Sequence, residues 1–449
     1  MTIGSAAASE TMGSARWPDL IPGPTFAAAT AAALLGSPHA ARAAIGDCLS
    51  AGTLVAVDGG TTAEVTRYRR TSKPFDTVVP PGDDRERAAV LRMLRYLLCT
   101  LVGIDEHLSP GRYRAFDPDD SLDVPTFADD TAAMAWFIAE VETVHAAQRL
   151  AVAVGEDVLV RRIGGASWTA SQLHGRLQDV LDLQTLAAEA AERSDHPASS
   201  VAHARRCWAL LHLGRPDDAA RAGIHALERA ERYGHSVSRS TALTALGNAY
   251  RAQGQYDDAL ESYEIAADFD HHRARLGPDG VTVTLPWGAL GLRWHGIALT
   301  HLDGGSLSDA LAAALTAVGH LERDQHYDRR DVAAARTTLG RALLRASRPS
   351  EAVTVLRSAI TLLTPSVDQW ALAGIHDLLG SALLATDALS AAARHFRTSI
   401  DLFEQAGRPA RADAVRDRLD ACAPPHVVAD GDPVNAQRRD VHRDGGSGA

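Results

Sequence analysis

TALTALGNAYRAQGQYDDALESYEIAADFD, residues 241–270, has the pattern of two short helices joined by a tight turn. In its first half, apolar residues recur at helical spacing and predict one apolar stripe: Leu243, Leu246, Ala249 and Tyr250. Gly254 follows, and glycine most readily takes the left-handed conformation that ends a helix. A helix pair of this size cannot bury its own apolar face, so we expect similar pairs to stack on it.

The turn of this stretch recurs along the C-terminal half of the chain. Each copy has an alanine just after the turn, and the intervals between these anchor alanines are 40, 51, 42 and 40 residues. The anchor alanines are Ala219, Ala259, Ala310, Ala352 and Ala392. Small residues, which let two helix backbones come close, precede them by twelve or fourteen positions at Cys207, Gly247, Gly296, Gly340 and Gly380. Five repeating units are therefore predicted.

These units resemble tetratricopeptide repeats, with some residues added to the basic length of about 34. The resemblance rests on Gly247, Tyr250, the Gly-x-Tyr turn, Ala259, Tyr263 and Ala266. It implies an all-α fold in which residues 196–422 form a right-handed superhelix of five or six helix pairs around a groove. The long interval contains residues 275–287, which are polar and punctuated by Gly and Pro, and we predict a surface loop that closes over a ligand.

The N-terminal part has a different pattern. Helix, helix and hairpin signals predict a small winged-helix-like domain in residues 21–80. Residues 83–195 are predicted to be a helical connector. Residues 1–20 and 423–449 are rich in small, polar or breaker residues, so we expect both ends to be disordered.

This order of parts resembles the C-terminal half of bacterial STAND-type regulators, including the streptomycete antibiotic regulatory proteins. Two motifs support it: an RxxxYL pattern at Arg92, Tyr96 and Leu97, and Ala135, Trp136 and Glu140, similar to an A-W-x-x-x-E-x-x-N signature in which Thr143 replaces the asparagine. The resemblance covers roughly residues 22–421 and implies a regulatory role in secondary metabolism. No GxxxxGK[ST] occurs in the sequence, so we expect the ATPase domain of those regulators to be absent and carry over no ATP-driven switching.

Composition limits the class of protein. Of the 449 residues, 46% are hydrophobic and 22% are charged, which is typical of a soluble globular protein. The net charge of −11 argues against nucleic acid as a partner. Four scattered cysteines, with no signal peptide or membrane span, favour a cytoplasmic protein with reduced thiols and no membrane contact.

In repeats of this kind, the first helix of each pair lines the groove. The candidate groove residues are Trp208, Thr244, Asn248, Arg251, Arg293, Thr337, Arg341 and Asp377. Asn248 stands where chaperone-binding repeats hold a peptide backbone, but Thr244 replaces the usual lysine, so a carboxylate clamp is incomplete. The arginines suit an acidic tail or a phosphate, because guanidinium binds such groups bidentately. The alternative is that they are ordinary solvated side chains.

Other chemistries have weaker support. Two clusters suggest metal ligands, Asp268 to His272 and His320 to Asp328, but neither has the spacing of a known site, and we predict no metal and no cofactor. No Gly-x-Ser-x-Gly or triad spacing is present. A DNA-binding winged helix would have to use Arg42 in its recognition helix and Arg67, Arg69 and Arg70 in its wing.

We therefore expect a non-catalytic regulatory scaffold whose groove binds a partner protein, a peptide or a small effector. Two alternatives remain. One is an enzyme or accessory protein of secondary metabolism, with a site between the connector and the repeats that uses the His and Asp clusters. The other is a DNA-binding transcriptional regulator.

Overall fold

The computed structural model describes residues 16–57, 66–71, 79–110, 122–272, 275–276, 283–284, 286–324 and 328–422. The two termini expected to be disordered lie largely outside these ranges. Where they overlap, the expectation was wrong: Trp17–Leu20 form a short helix, and Trp17 is buried in the core because its large apolar ring packs against Phe26 at a centroid distance of 5.8 Å.

Helices make up most of the described chain, as predicted. The N-terminal unit contains α1 (Trp17–Leu20), β1 (Phe26–Ala27), α2 (Ala28–Leu35), α3 (Pro38–Ser50), β2 (Leu54–Val57) and β3 (Arg67–Arg70). The connector contains α4 (Asp84–Leu108), α5 (Asp130–Ala153), α6 (Asp157–Ala166), α7 (Trp168–His174) and α8 (Leu177–Arg193). The repeats contain α9 (Ala198–His212), α10 (Pro216–Tyr233), α11 (Ser236–Ala252), α12 (Tyr256–His271), β4 (Arg275–Leu276), β5 (Val283–Thr284), α13 (Trp287–Gly304), α14 (Leu307–Arg323), α15 (Arg329–Arg345), α16 (Pro349–Ile360), α17 (Gln369–Leu384), α18 (Leu389–Gln405) and α19 (Pro409–Asp420).

The helices from α9 to α18 form five stacked antiparallel pairs, which confirms the all-α tetratricopeptide-repeat fold. Each anchor alanine is the fourth residue of the second helix of its pair, and all five are fully buried. Helix α19 packs on α18 and covers the end of the array. In the insertion before α13, β4 and β5 pair antiparallel, so the region predicted as a loop contains a short ladder. Residues 277–282 of that insertion lie outside the described residues.

In the second, fourth and fifth pairs, the small residue makes room for a large side chain four positions after the anchor alanine. A Cβ atom on Gly380 would lie 2.6 Å from the ring of Phe396, and one on Gly340 would lie 2.6 Å from Leu356. In the third pair the equivalent residue is Ala314, which is too short to fill the gap. There Tyr263 from the preceding pair reaches Gly296, where a Cβ atom would lie 2.4 Å from its ring.

The N-terminal unit is attached to the connector by buried polar contacts. Its three strands form one antiparallel sheet in the order β1-β3-β2. Arg67 of β3 pairs with Glu140 of α5 at 2.5 Å, and Arg92 of α4 donates to the last carbonyl groups of α2, including Ala33 at 3.0 Å. Thr143 donates to the carbonyl of Thr25 at 3.1 Å. Three residues of the two motifs, Arg92, Glu140 and Thr143, therefore serve this junction.

The connector, in turn, contacts the far end of the repeats. Val367, in the turn before α17, belongs to the same apolar core as α4 and α5. Beside it, Arg330 of α15 donates to the carbonyl of Leu108 and to Asp130 at 2.9 Å. Across the interior of the array, His212 of α9 lies against Trp370 of α17, with ring centroids 5.6 Å apart. The superhelix is thus wound tightly enough for its first and fifth pairs to touch.

Because a large side chain fills the space beside only some glycines, replacing glycine by alanine should change stability in opposite directions at two positions of α17. Gly380→Ala should lower the free energy of unfolding by about 1–3 kcal/mol, because the added methyl group overpacks against the buried ring of Phe396. Gly374→Ala is the matched control: nothing lies within 4 Å of its Cβ position, and alanine should raise stability by about 0.5–1 kcal/mol in a helix. Urea unfolding gives the free energy of unfolding of both variants. If Gly380→Ala raised it, this account of the repeat packing would be contradicted.

Candidate binding groove

Several of the predicted groove residues bond within the protein. Thr244 and Thr337 each donate to the carbonyl four residues earlier in their own helices, at 2.8 and 2.6 Å. Asn248 accepts a hydrogen bond from the Tyr263 hydroxyl at 2.8 Å. The carboxylate of Asp377 accepts from the Nε and one terminal nitrogen of Arg418 at 2.9 and 2.8 Å. These contacts hold the four side chains in place. In each of them, at least one polar atom already has a hydrogen-bond partner within the protein.

The prediction that Arg293 faces the groove was wrong. Only 6% of Arg293 is exposed, and it is held between α11, α12 and α13. Its guanidinium pairs with the fully buried Asp270 at 3.2 Å and donates to the Ser240 hydroxyl at 3.0 Å. A helical period shows which face a residue occupies, but Asp270 belongs to another helix, and that partner draws Arg293 into the interface.

Trp208 contributes to a row of rings at one side of the interior. It stacks on His212 at a centroid distance of 4.0 Å and meets Trp168 edge-on at 5.4 Å. Trp370 continues the row, and the guanidinium of Arg408 lies 5.2 Å from its ring centre. This row narrows the groove between the first and fifth pairs.

The middle of the groove carries an excess of positive charge. Arg341 of α15 is half-buried and makes no hydrogen bond or ion pair with any residue that the structure describes. Burial lowers its pKa, and the charges of Arg345 and Arg251 lower it further against the opposite effect of Asp303. Arg251 pairs with Asp303 at 2.5 Å, yet its Nε is buried without a partner. The charges that act on Arg341 are thus one carboxylate, Asp303, and three other guanidinium groups, Arg251, Arg345 and Arg411. We call Arg251, Arg341 and Arg345 the arginine cluster.

His295 adjoins the arginine cluster, and the sequence analysis did not select it. Its Nε2 lies 2.9 Å from the Thr338 hydroxyl. Burial, followed by the charges of Arg251 and Arg341, lowers the pKa of His295 to about 4. The ring is therefore neutral at pH 7 and adds no charge. A signal was present in the sequence, since His295 and Arg293 lie two residues apart on one first helix, but only the structure shows which of them turns inward.

The residues proposed for other chemistries have structural partners. Arg67 and Arg70, two of the three wing arginines, are used within the protein: Arg70 is 6% exposed and donates to the carbonyl of Gly23 at 3.0 Å. In the first His and Asp cluster, Asp270 forms an ion pair with Arg293. In the second, Asp324 accepts from the Gly288 amide at 2.9 Å, and His326 lies outside the described residues. Within the described ranges, no three His, Cys, Asp or Glu side chains converge as metal ligands would.

Comparison with known proteins supports the repeat fold. Residues 200–269 match the sequence model of the Tetratricopeptide repeat family. Among solved structures, the chain is similar to a signal transduction ATPase with numerous domains (STAND) with a tetratricopeptide repeat sensor from Pyrococcus horikoshii, with 12% identity and a TM-score of 0.51. That alignment covers 87% of this chain and half of the other protein, and at this identity it shows the fold alone.

Two further structures are similar over shorter stretches. A Rap protein complexed with competence and sporulation factor has 11% identity and a TM-score of 0.42, covering 66% of this chain and 87% of the other. The apo form of the quorum sensor NprR from B. thuringiensis has 13% identity and a TM-score of 0.40, and the alignment covers 65% of this chain and 86% of the other. A comparison with curated proteins found no match. Separately, none of the helices in the described ranges offers an apolar stretch of the length needed to cross a bilayer.

The buried ion pair gives a direct test of the corrected role of Arg293. Asp270→Asn keeps the shape of the side chain but leaves Arg293 buried beside a neutral group, so it should lower the free energy of unfolding by about 3 kcal/mol. Asp268→Asn, at an exposed position two residues earlier, should change it by no more than about 0.5 kcal/mol. Chemical denaturation measures the stability of both variants. An equal effect of the two would contradict the assignment of Arg293 to a buried ion pair with Asp270.

Proposed function

We propose that this protein is a non-catalytic regulatory scaffold whose groove binds an acidic segment of a partner protein or peptide at the arginine cluster. The observation that carries the proposal is the state of Arg341. A half-buried guanidinium without a partner is costly, and a ligand carboxylate that supplies hydrogen bonds would relieve that cost.

The geometry also supports an extended ligand over a compact one at this place. Arg251, Arg341 and Arg345 come from two first helices, α11 and α15, so their charges are spread along the groove. The aromatic row at Trp208, His212 and Trp370 lies beside them and offers ring faces to an apolar side chain of the same ligand.

We further propose that the N-terminal unit is winged-helix-like and that the protein shares its domain architecture with the C-terminal half of STAND-type regulators. The strand order β1-β3-β2 around α2 and α3 supports this proposal, as do the junction contacts of Arg67, Glu140 and Thr143. Because Arg67 and Arg70 are used inside the protein, we assign this unit to domain packing and not to DNA. A regulatory role in secondary metabolism rests on the resemblance alone. We also propose, from the sequence pattern, a cytoplasmic location and closure of the 275–287 insertion over a ligand.

Selection from a random peptide library on the full-length chain tests the groove proposal. Enriched peptides should carry Asp, Glu or a free C-terminal carboxylate, and their affinity for Arg341→Gln should fall at least about tenfold, the effect of losing one charged hydrogen bond. Arg394→Gln is the matched control, an exposed arginine on α18, and should bind as the unchanged protein does. Enrichment without acidic residues, or full binding to Arg341→Gln, would contradict the proposal.

A further inference from the structure

A separate cavity lies between the connector and the first repeats. Its volume is about 350 Å³, which falls at the lower end of the range of about 300–1,000 Å³ common for small-molecule sites. The walls come from α4, α6, α8, α9 and the start of α11. We call it the connector cavity. None of the predicted groove residues lines it.

The polar lining of the connector cavity is mainly cationic. Three arginines line it, Arg161, Arg162 and Arg205, against a single acidic residue, Asp105. Asp105 also accepts a hydrogen bond from the Thr169 hydroxyl at 2.8 Å. Arg205 lies over the ring of Trp168 at 5.1 Å, which fixes its direction. The formal balance of three guanidinium groups and one carboxylate leaves the cavity positive and suited to an anion.

Two histidines add hydrogen-bond donors to this lining. The Nδ1 of His196 accepts from the Ala198 amide at 3.1 Å, and the Nδ1 of His235 accepts from the Ser238 amide at 3.2 Å. A neutral imidazole whose Nδ1 is an acceptor carries its proton on Nε2. Burial and the charges of Arg161 and Arg162 lower the pKa of His196, so this ring stays neutral.

Two buried polar atoms of the lining residues have unmet hydrogen bonds. Among the residues that the structure describes, the buried Nε of Arg161 has no hydrogen-bond partner. Gln184 is 1% exposed, and its Nε2 donates to the Gly164 carbonyl at 2.6 Å, which fixes the orientation of the amide. Its Oε1 is buried and accepts no hydrogen bond from the described part of the chain. Both atoms belong to residues of the same lining, and the apolar part of the wall includes Val102, Ala166, Ala187, Val201, Ala202 and Val237.

From these features we propose that the connector cavity binds a small anionic metabolite that carries a phosphate or carboxylate group together with a hydroxyl or amine. The anionic group binds Arg161 and its neighbouring arginines, and the hydroxyl or amine donates to the Oε1 of Gln184. A carbon skeleton of a few atoms fits against the apolar wall. This ligand touches α4 and the first repeats together, so it stabilises the connector on the array. The site is independent of the arginine cluster in the groove.

Calorimetric titration of the full-length protein tests this proposal with three probes: inorganic phosphate, a sugar phosphate and a hydroxy-dicarboxylate. At least one should bind and raise the melting temperature, and the one that binds identifies the anionic group. Arg161→Gln should weaken that binding at least about tenfold. This variant should fold, because it removes a buried and unpartnered charged nitrogen. Arg149→Gln, an exposed arginine on α5, is the matched control and should leave the affinity unchanged.

A cavity-filling variant provides a second test that leaves every charge in place. Val201→Phe should abolish binding by occupying the volume beside α9. Arg341→Gln should not alter the affinity of the probe for the connector cavity. The cavity proposal and the groove proposal can therefore fail independently of each other. The proposal is overturned if no probe binds, if Arg161→Gln and Val201→Phe bind as the unchanged protein does, or if binding is lost in Arg341→Gln.

Discussion

Arg330 joins two parts of the chain that lie about two hundred residues apart. Its Nε donates to Asp368 at 2.6 Å, one terminal nitrogen donates to Asp130 at 2.9 Å, and the other donates to the carbonyl of Leu108. Burial lowers its pKa, but the charges and hydrogen bonds of Asp368 and Asp130 outweigh burial and raise the pKa. A guanidinium satisfied in this way fixes the end of α4, the start of α5 and the turn before α17 in one geometry.

The proposed groove site depends on that closure. Because the connector is held at the fourth and fifth pairs, the array cannot open freely, and Trp370 stays against His212. The groove is then a narrow space that contains the arginine cluster. The connector cavity lies elsewhere, where α4, α6 and α8 of the connector meet α9 and the start of α11. The two proposed sites are both cationic, but they lie in different parts of the fold and share no residues.

The sequence predicted those features that depend on local periodicity. The anchor alanines, the small residues before them and the helix pairs follow from contacts within one repeat, so the pattern at Ala259 and Gly380 was sufficient to place them. Roles that depend on a partner from elsewhere were not predictable. Arg293 was assigned to the groove because its partner Asp270 lies in a different helix. Arg161 and Arg330 were not selected at all, because nothing near them in the sequence indicates what they face. The signature-like Glu140 was noticed, but its pairing with Arg67 needed the structure.

The most direct test of this account is hydrogen–deuterium exchange of the full-length protein and of Asp130→Asn. If Arg330 joins the connector to the array, removing the charge of Asp130 should speed exchange in α5, at the end of α4, in the first turns of α15 and in residues 361–368. Faster exchange confined to α5 would contradict the account, because it would mean that the connector and the repeats are held independently of each other.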